Sequence, residues 1–252
     1  MHLLEDGRRV DDVLDPYRDV DRVRPEGGAW VLANMVGGLD GTAAIGGRVG
    51  ALTGGADATL FRRLRALADV VLVGAETVRA ERYGPVRLDD DLVVARTAAG
   101  RPSVPPIVVV SGSLRLDWEG PLFADAAAGS PTLVATTAAA AASEAGRRAA
   151  RHAELLCVEP VVAGGVSLPG LLAALADRGH GVVLCEGGPS LLGELVAAGR
   201  LDELCLTVAP VVGGDPLPIV RTPAGATLRH FALRHVGADD GALFLRYEAV
   251  GR

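Results

Sequence analysis

No lysine occurs in this sequence: all 25 basic residues are arginine. Glutamine is absent too, and Asn34 is the only asparagine. Without lysine there is no Schiff-base amine and no P-loop ammonium, so both chemistries are excluded. Aromatic residues make up only 4% of the chain, so Val, Leu and Ala must fill the core. Cysteine is sparse as well. Cys157, Cys185 and Cys205 lie far apart with no CxxC pair, which speaks against a zinc site, and no metal is expected. All three sit in apolar, strand-like runs, where cysteine acts as a small hydrophobe.

Other absences narrow the field further. The opening MHLLEDGRRVDDVLDP lacks the basic-then-apolar order of a secretory signal, and no apolar run reaches the roughly 18 residues of a membrane span. With an odd cysteine count, this suggests a reducing, cytoplasmic setting. The net charge of −6 is spread along the chain, and no basic run marks a nucleic-acid face. No G-x-S-x-G occurs, the five histidines fall in no catalytic motif, and no G-x-G-x-x-G follows the first strand-like run.

What is present is an α/β pattern. The 252 residues, 49% hydrophobic, suffice for one large domain or two small ones. Residues 1–28 are charged and broken by Pro16, Pro25 and Gly27-Gly28, and read as an arm that packs on the domain or on a partner subunit. Residues 29–252 read as a single domain. Strands are expected at 30–36 (WVLANMV), 70–74 (VVLVG), 107–110 (IVVV), 132–135 (TLVA), 155–158 (LLCV), 182–185 and 204–208. The short continuous apolar runs suit parallel strands covered on both faces. A closing antiparallel pair is expected at 231–235 and 243–248, around Ala238–Gly241. Helices are expected at 57–68 with Asp57 as N-cap, from 75 to before Gly84, over the alanine-rich 138–150, at 168–178, and at 189–198 with Gly199 closing it. Residues 86–105, polar and proline-bearing, read as a surface excursion.

In open α/β sheets ligands bind beyond the carboxyl ends of the strands. Four loops there are rich in glycine or polar residues: Gly37–Thr53, Gly74–Arg82, Ser111–Ser113 and Glu186–Ser190. In the last, Gly187 and Gly188 clear space for close backbone approach, and Pro189 suits a first helical position. The helix start that follows is a candidate anion site. Glu186 closes an apolar strand, so its carboxylate either pairs with an arginine or accepts from a ligand. Asp40 is either a turn aspartate bonding its own backbone or a carboxylate offered to a heterocycle. Asn34 either reads a ligand edge or serves the strand. Arg65 either belongs to a solvated arginine face with Arg62 and Arg63 or reaches a ligand phosphate.

Three blocks, ANMVGGLDGTAA, TLFRRLRALADVVLVGAETVRAER and VVLCEGGPSLLGELVAAGRLDELCLTVAPVVGGD, together resemble the pyrimidine reductase family of riboflavin biosynthesis. The resemblance runs over about residues 30–250 and is nearest to stand-alone actinobacterial members. It implies a dihydrofolate-reductase-like fold: a mostly parallel central sheet with antiparallel C-terminal strands and helices on both faces. It also implies NADPH as cofactor, a homodimer, and reduction of the ribosyl group of 5-amino-6-(5-phosphoribosylamino)uracil to ribityl. Hydride would arrive at the sugar C1′. By motif, Val36, Thr77, Glu81, Ser111 and the stretch Gly187, Gly188, Pro189, Ser190 and Leu191 match cofactor contacts. Arg65 and Arg87 resemble substrate-phosphate ligands, Glu186 resembles a substrate contact, and Asp40 and Glu186 take the catalytic positions.

This chain departs from the family pattern at several places. Gly38 stands where a serine is usual before Leu-Asp-Gly, and Glu81 where an aspartate is common. Val49 and Ala51 replace the Ser and Trp of bifunctional bacterial relatives, and no arginine follows Ser111 until Arg115. The zinc-deaminase signature of those relatives is absent. Two further readings stay open. One is a dihydrofolate or pterin reductase, motivated by Asp40. The other is an inactive NADP-binding subunit, motivated by Gly38, Val49 and Ala51.

Overall fold

A computed structural model of the chain describes residues 1–24, 26, 28–161 and 165–251. The Pro25 and Gly27 breaks expected in the arm lie outside the described residues. Among the described residues ten strands form one sheet: β1 (His2–Leu3), β2 (Trp30–Gly37), β3 (Val70–Gly74), β4 (Ile107–Val110), β5 (Leu133–Thr136), β6 (Glu154–Cys157), β7 (Val182–Cys185), β8 (Glu203–Val208), β9 (His230–Asp239) and β10 (Ala242–Val250). Their order is β1-β9-β10-β8-β2-β7-β3-β4-β5-β6. From β8 to β6 every pair is parallel, while β10, β9 and β1 add on antiparallel. The sheet is therefore mostly parallel with an antiparallel C-terminal end, as the pattern implied.

Burial explains the composition of the strands. Val70–Val73 and Val183–Cys185 are fully covered, because helices lie on both faces and neither face can be polar. On one face Leu32, Val71, Val73 and Leu184 meet Leu60 and Leu64 of the helix Gly55–Leu64. On the other, Val31, Leu72 and Val183 meet the helices Leu168–Asp177 and Pro189–Ala197 through Leu171, Leu175, Leu192 and Leu195. The closing hairpin turns at Asp240 and Gly241, with φ of 45° and 77°, where glycine removes the steric penalty of the second position. No helix among the described residues is long and apolar enough to cross a membrane.

Three local expectations are corrected. Asp57 does not cap its helix: Gly54 is the N-cap, and Asp57 lies inside the first turn, buried. The 86–105 stretch holds a helix, Asp90–Ala98, which buries Leu92 and Arg96 beneath a charged exterior. The alanine run is interrupted at Ser143, whose side chain accepts from the Gly146 N–H and so starts a second helix. The arm packs on the domain, one of the two placements expected for it: Leu14 and Tyr17 are fully buried, and β1 pairs with β9.

An ion cluster that sequence reading missed ties the arm to the sheet. Glu203 opens β8 with 0% exposure. It accepts from Arg22 Nε and Nη2 (2.9 Å each), Arg246 Nε (2.7 Å) and Trp30 Nε1 (3.2 Å). No periodicity signals such a cluster, because its members come from three separate regions of the chain, around residues 22–30, 203 and 246. Glu203→Gln would leave the buried Arg22 guanidinium without a counter-charge and Arg246 with only Glu248, at 3.8 Å, and the expected loss of stability is about 3–5 kcal/mol, read by urea denaturation. A loss under about 1 kcal/mol would show that the cluster does not anchor the arm.

Candidate active site

All four loops singled out in the sequence converge on one cleft of about 850 Å³ at the carboxyl ends of the parallel strands. That volume suits a small-molecule site. Gly47, Val49 and Gly50 come from the first loop, Gly74–Thr77 and Arg79–Arg82 from the second, Ser111–Ser113 from the third, and Glu186 with Gly188–Leu191 from the fourth. Val36 lines the cleft as well.

At the fourth loop the chain passes its neighbours too closely for side chains. Gly187 has φ of +86°, a conformation that penalises any residue with a Cβ, and its carbonyl accepts from the Gly74 N–H at 2.8 Å. A Cβ at Gly188 would stand 2.8 Å from Thr77 Oγ1, so Thr77 faces this turn across the cleft rim. The helix Pro189–Ala197 begins here with no side-chain cap on its first N–H groups. Uncapped N–H groups with the positive end of a helix dipole form an anion cradle. Gly193 in the same helix has a packing role that sequence reading missed: a Cβ there would fall 1.9 Å from the Arg221 carbonyl oxygen.

Glu186 and Arg65 resolve each other's alternatives. Arg65 Nε and Nη2 donate to the two Glu186 carboxylate oxygens at 2.6 and 2.7 Å, and Nη2 also reaches Tyr83 Oη at 3.1 Å. Phe61 stacks 4.4 Å from the guanidinium carbon. Burial alone would lower the Arg65 pKa, but the Glu186 charge outweighs it and keeps the guanidinium firmly cationic. Both side chains line the cleft, so a ligand meets a pre-paired, bidentate ion pair and not a lone carboxylate.

The remaining predicted residues divide. Ser111 is buried and its Oγ accepts from the Leu114 N–H at 3.0 Å, shaping the third loop. Glu81 accepts from the Val49 N–H at 3.0 Å, holding the glycine-rich loop against the cleft. Thr77 does not cap its helix, since Gly74 holds that position. Asp40, Arg87 and Gly187 do not line the cleft, and Arg87 is exposed. Asp40 makes turn bonds: its carboxylate accepts from Gly213 N (2.8 Å) and Thr42 N (3.1 Å). Those two N–H groups, Gly213 first, hold its pKa below the usual carboxylate value. Gly38 has a local reason to lack a side chain, because a Cβ would sit 2.9 Å from the Val211 carbonyl oxygen.

Asp57 lines the cleft although it was expected only to cap a helix. It is 4% exposed. Burial pushes its carboxyl above the usual value of 3.8, against the opposing hydrogen bonds from the Thr207 and Thr53 hydroxyls.

Comparison with known proteins agrees with the sequence blocks. Residues 29–241 match the family model described as the RibD C-terminal domain. Riboflavin biosynthesis protein RibD of Mycobacterium tuberculosis is 30% identical over 161 residues, covering 64% of this chain and 35% of that protein. The chain thus spans about a third of the length of this curated relative. Among solved structures, a pyrimidine reductase-like protein of Corynebacterium diphtheriae superposes with a TM-score of 0.82 at 27% identity, covering 96% of this chain and all of that one. The riboflavin biosynthesis reductase Rib7 of Saccharomyces cerevisiae superposes with a TM-score of 0.63 at 16% identity, a likeness of fold alone.

The Asp57 pKa gives a signed expectation. A carboxyl whose folded-state pKa is raised favours folding below its unfolded value, and that advantage fades as pH rises through the folded-state pKa. The stability of the native chain relative to Asp57→Asn is therefore expected to fall as pH climbs from 3.8. Urea midpoints of both proteins across acidic to neutral pH measure it; a pH-independent difference would contradict the assignment.

Proposed function

The chain belongs to the RibD C-terminal domain family, and we propose that it is an NADPH-dependent reductase of the riboflavin pathway. Its substrate would be 5-amino-6-(5-phosphoribosylamino)uracil, reduced at the ribosyl group to give ribityl. The observation that carries this reading is the meeting of an uncapped helix start and a buried arginine–glutamate pair in one cleft. The first suits a pyrophosphate and the second a polar substrate.

The residues fit the cofactor on physical grounds. Gly188 leaves room that a Cβ would fill, and the helix N–H groups after it supply an anion cradle where the chain offers no lysine. When bound, NADPH supplies the hydride. Thr77, Ser111 and the Gly187–Leu191 turn would hold it, and Glu81 would keep the Gly47–Gly50 loop closed over the site. Arg65, held in place by Glu186 and Tyr83, retains its Nη1 edge for a substrate oxyanion. The protein's contribution is thus positioning and charge. The pterin reading rested on Asp40, whose oxygens are engaged by backbone outside the cleft lining.

A homodimer is part of the same proposal. The accessible surface, 11841 Å², exceeds the roughly 10,500 Å² expected of a compact monomer of this mass. The antiparallel end of the sheet carries Leu233 at 50% exposure and Leu243 at 38%. Three unpaired cysteines suit a cytoplasmic location.

The test is to supply the phosphoribosylamino-pyrimidine with NADPH and follow the near-ultraviolet band of the reduced nicotinamide. Oxidation is expected. No oxidation, together with turnover of another substrate, would sink the assignment, and tight NADPH binding without any turnover would favour an inactive subunit. Glu186→Gln weakens the hold on Arg65 and is expected to lower turnover more than NADPH affinity, with kcat/KM and the NADPH Kd as readouts. Equal losses in both would make the pair purely structural.

A further inference from the structure

The reductase reading names a source for the hydride but none for a proton. Converting a ribosyl to a ribityl group breaks the C1′–O4′ bond, because a saturated C1′ cannot take a hydride. The departing O4′ must be protonated, and a positioned side chain does this faster than water.

Elimination among the cleft-lining groups leaves one. Among the described residues no histidine lines the cleft, the chain has no lysine, and an arginine does not give up its proton. Glu186 has both oxygens engaged by Arg65, and the Tyr83 hydroxyl is bonded to the same guanidinium. Glu81 accepts from the Val49 N–H, and Glu76 and Glu194 are exposed. Asp57 differs from all of these. It is buried, it lines the cleft, and among the described residues no arginine pairs with it. Burial of a carboxyl without a counter-charge favours its neutral, protonated form.

The groups around Asp57 leave that preference in place. Thr53, on the loop before its helix, and Thr207, on β8, present hydroxyls to it, which offset part of the effect of burial. From the arm, Tyr17 is near enough for the two charges to interact. Tyr17 stays un-ionised: burial first, then Cys205, Glu203 and Asp57, raises its pKa well above 10, against the opposing charge of Arg246. On its own side, Phe61 lies one turn further along the helix, and Arg65 opens the 3-10 turn that continues it. Asp57, Phe61 and Arg65 stand four residues apart and line one wall of the cleft. That wall carries a carboxyl at one end and a cation at the other, separated by a rise of roughly 12 Å. Such an arrangement suits a phosphosugar, with its phosphate toward the arginine and its ring toward the carboxyl.

We propose that Asp57 is the acid of this cleft and gives its carboxyl proton to the sugar ring oxygen as the C1′–O4′ bond breaks. The electron pair of that bond goes to O4′, which becomes a hydroxyl, while the lone pair of the attached nitrogen closes a C1′=N double bond. C1′ then accepts the hydride, and the electrons of the double bond return to nitrogen. The substrate gains one hydride and one proton, a reduced nicotinamide is oxidised, and the Asp57 carboxylate regains its proton from water. The assignment rests on the reductase reading.

Two measurements test it: kinetics with the phosphoribosylamino-pyrimidine and NADPH from acidic to alkaline pH, and infrared difference spectroscopy of the free protein. Asp57→Asn is expected to lower kcat about 10²–10⁴-fold, the usual contribution of a general acid, with the NADPH Kd unchanged. The native kcat is expected to fall as pH rises through the Asp57 pKa, and this limb is expected to vanish in the variant. In the infrared, a protonated-carboxyl band lost in Asp57→Asn is expected to titrate over the same range. Asp57→Glu, which keeps an acid, is expected to recover part of kcat and to move the limb; it carries the test if Asp57→Asn does not fold. Near-native turnover of Asp57→Asn, an equal loss of NADPH affinity, an unmoved limb in Asp57→Glu, or a carboxyl band that titrates apart from kcat would overturn the proposal. No turnover by the native chain overturns the reductase reading and this assignment with it. Native turnover that Asp57→Asn matches overturns the assignment alone.

Discussion

The cleft depends on how closely the backbone beyond β7 runs past β3 and β2. The Gly187 carbonyl meets the Gly74 N–H at 2.8 Å, a Cβ on Gly188 would press on Thr77, and one on Gly187 would touch Met35 at 3.4 Å. A side chain at this turn would lift the start of the helix Pro189–Ala197 away from the strands it follows. The uncapped N–H groups and the end of Glu186 would move with it. Two glycines thus set the distance between the anion cradle and the ion pair, and much of the geometry of the cleft follows from that distance.

An all-arginine charge set has consequences inside the sheet. Glu203 is chelated by Arg22 and contacted by Arg246, and Glu186 is chelated by Arg65. A planar guanidinium can satisfy both oxygens of a buried carboxylate at once, which a compact ammonium cannot do in the same geometry. Both pairs lie on the sheet face covered by the helix Gly55–Leu64, one at the root of the arm and one in the cleft. Pairing keeps both buried carboxylates on that face hydrogen-bonded.

The regular elements were legible because their signals are local. Continuous apolar runs such as VVLVG and VVLC mark strands buried on both faces, and the Asp240-Gly241 pair marks a hairpin. The four cleft-forming loops were legible for a related reason: glycine and polar residues directly after buried strands fall at one edge of a parallel sheet. The misreadings also share a cause. Residues 90–98 read as surface because their polarity hides that Leu92 and Arg96 face inward. Asp57 read as a cap because its spacing fits one, whereas the packing of its helix on the sheet buries it at the cleft. Asp40 left two readings open, and Gly213, equally distant in sequence, decided for the backbone.

By itself the sequence determined the α/β class, the strand set, the family resemblance and the exclusion of lysine chemistry, since these depend on composition and on neighbours within a few residues. Only the tertiary structure decided which carboxylate meets which arginine, that Asp57 enters the cleft while Asp40 stays out, and that the Asn34 Oδ1 has no partner among the described residues. The reason is physical. A buried charge or amide is defined by what stands opposite it, and in a crossed parallel sheet that neighbour comes from a strand or helix far away in the chain.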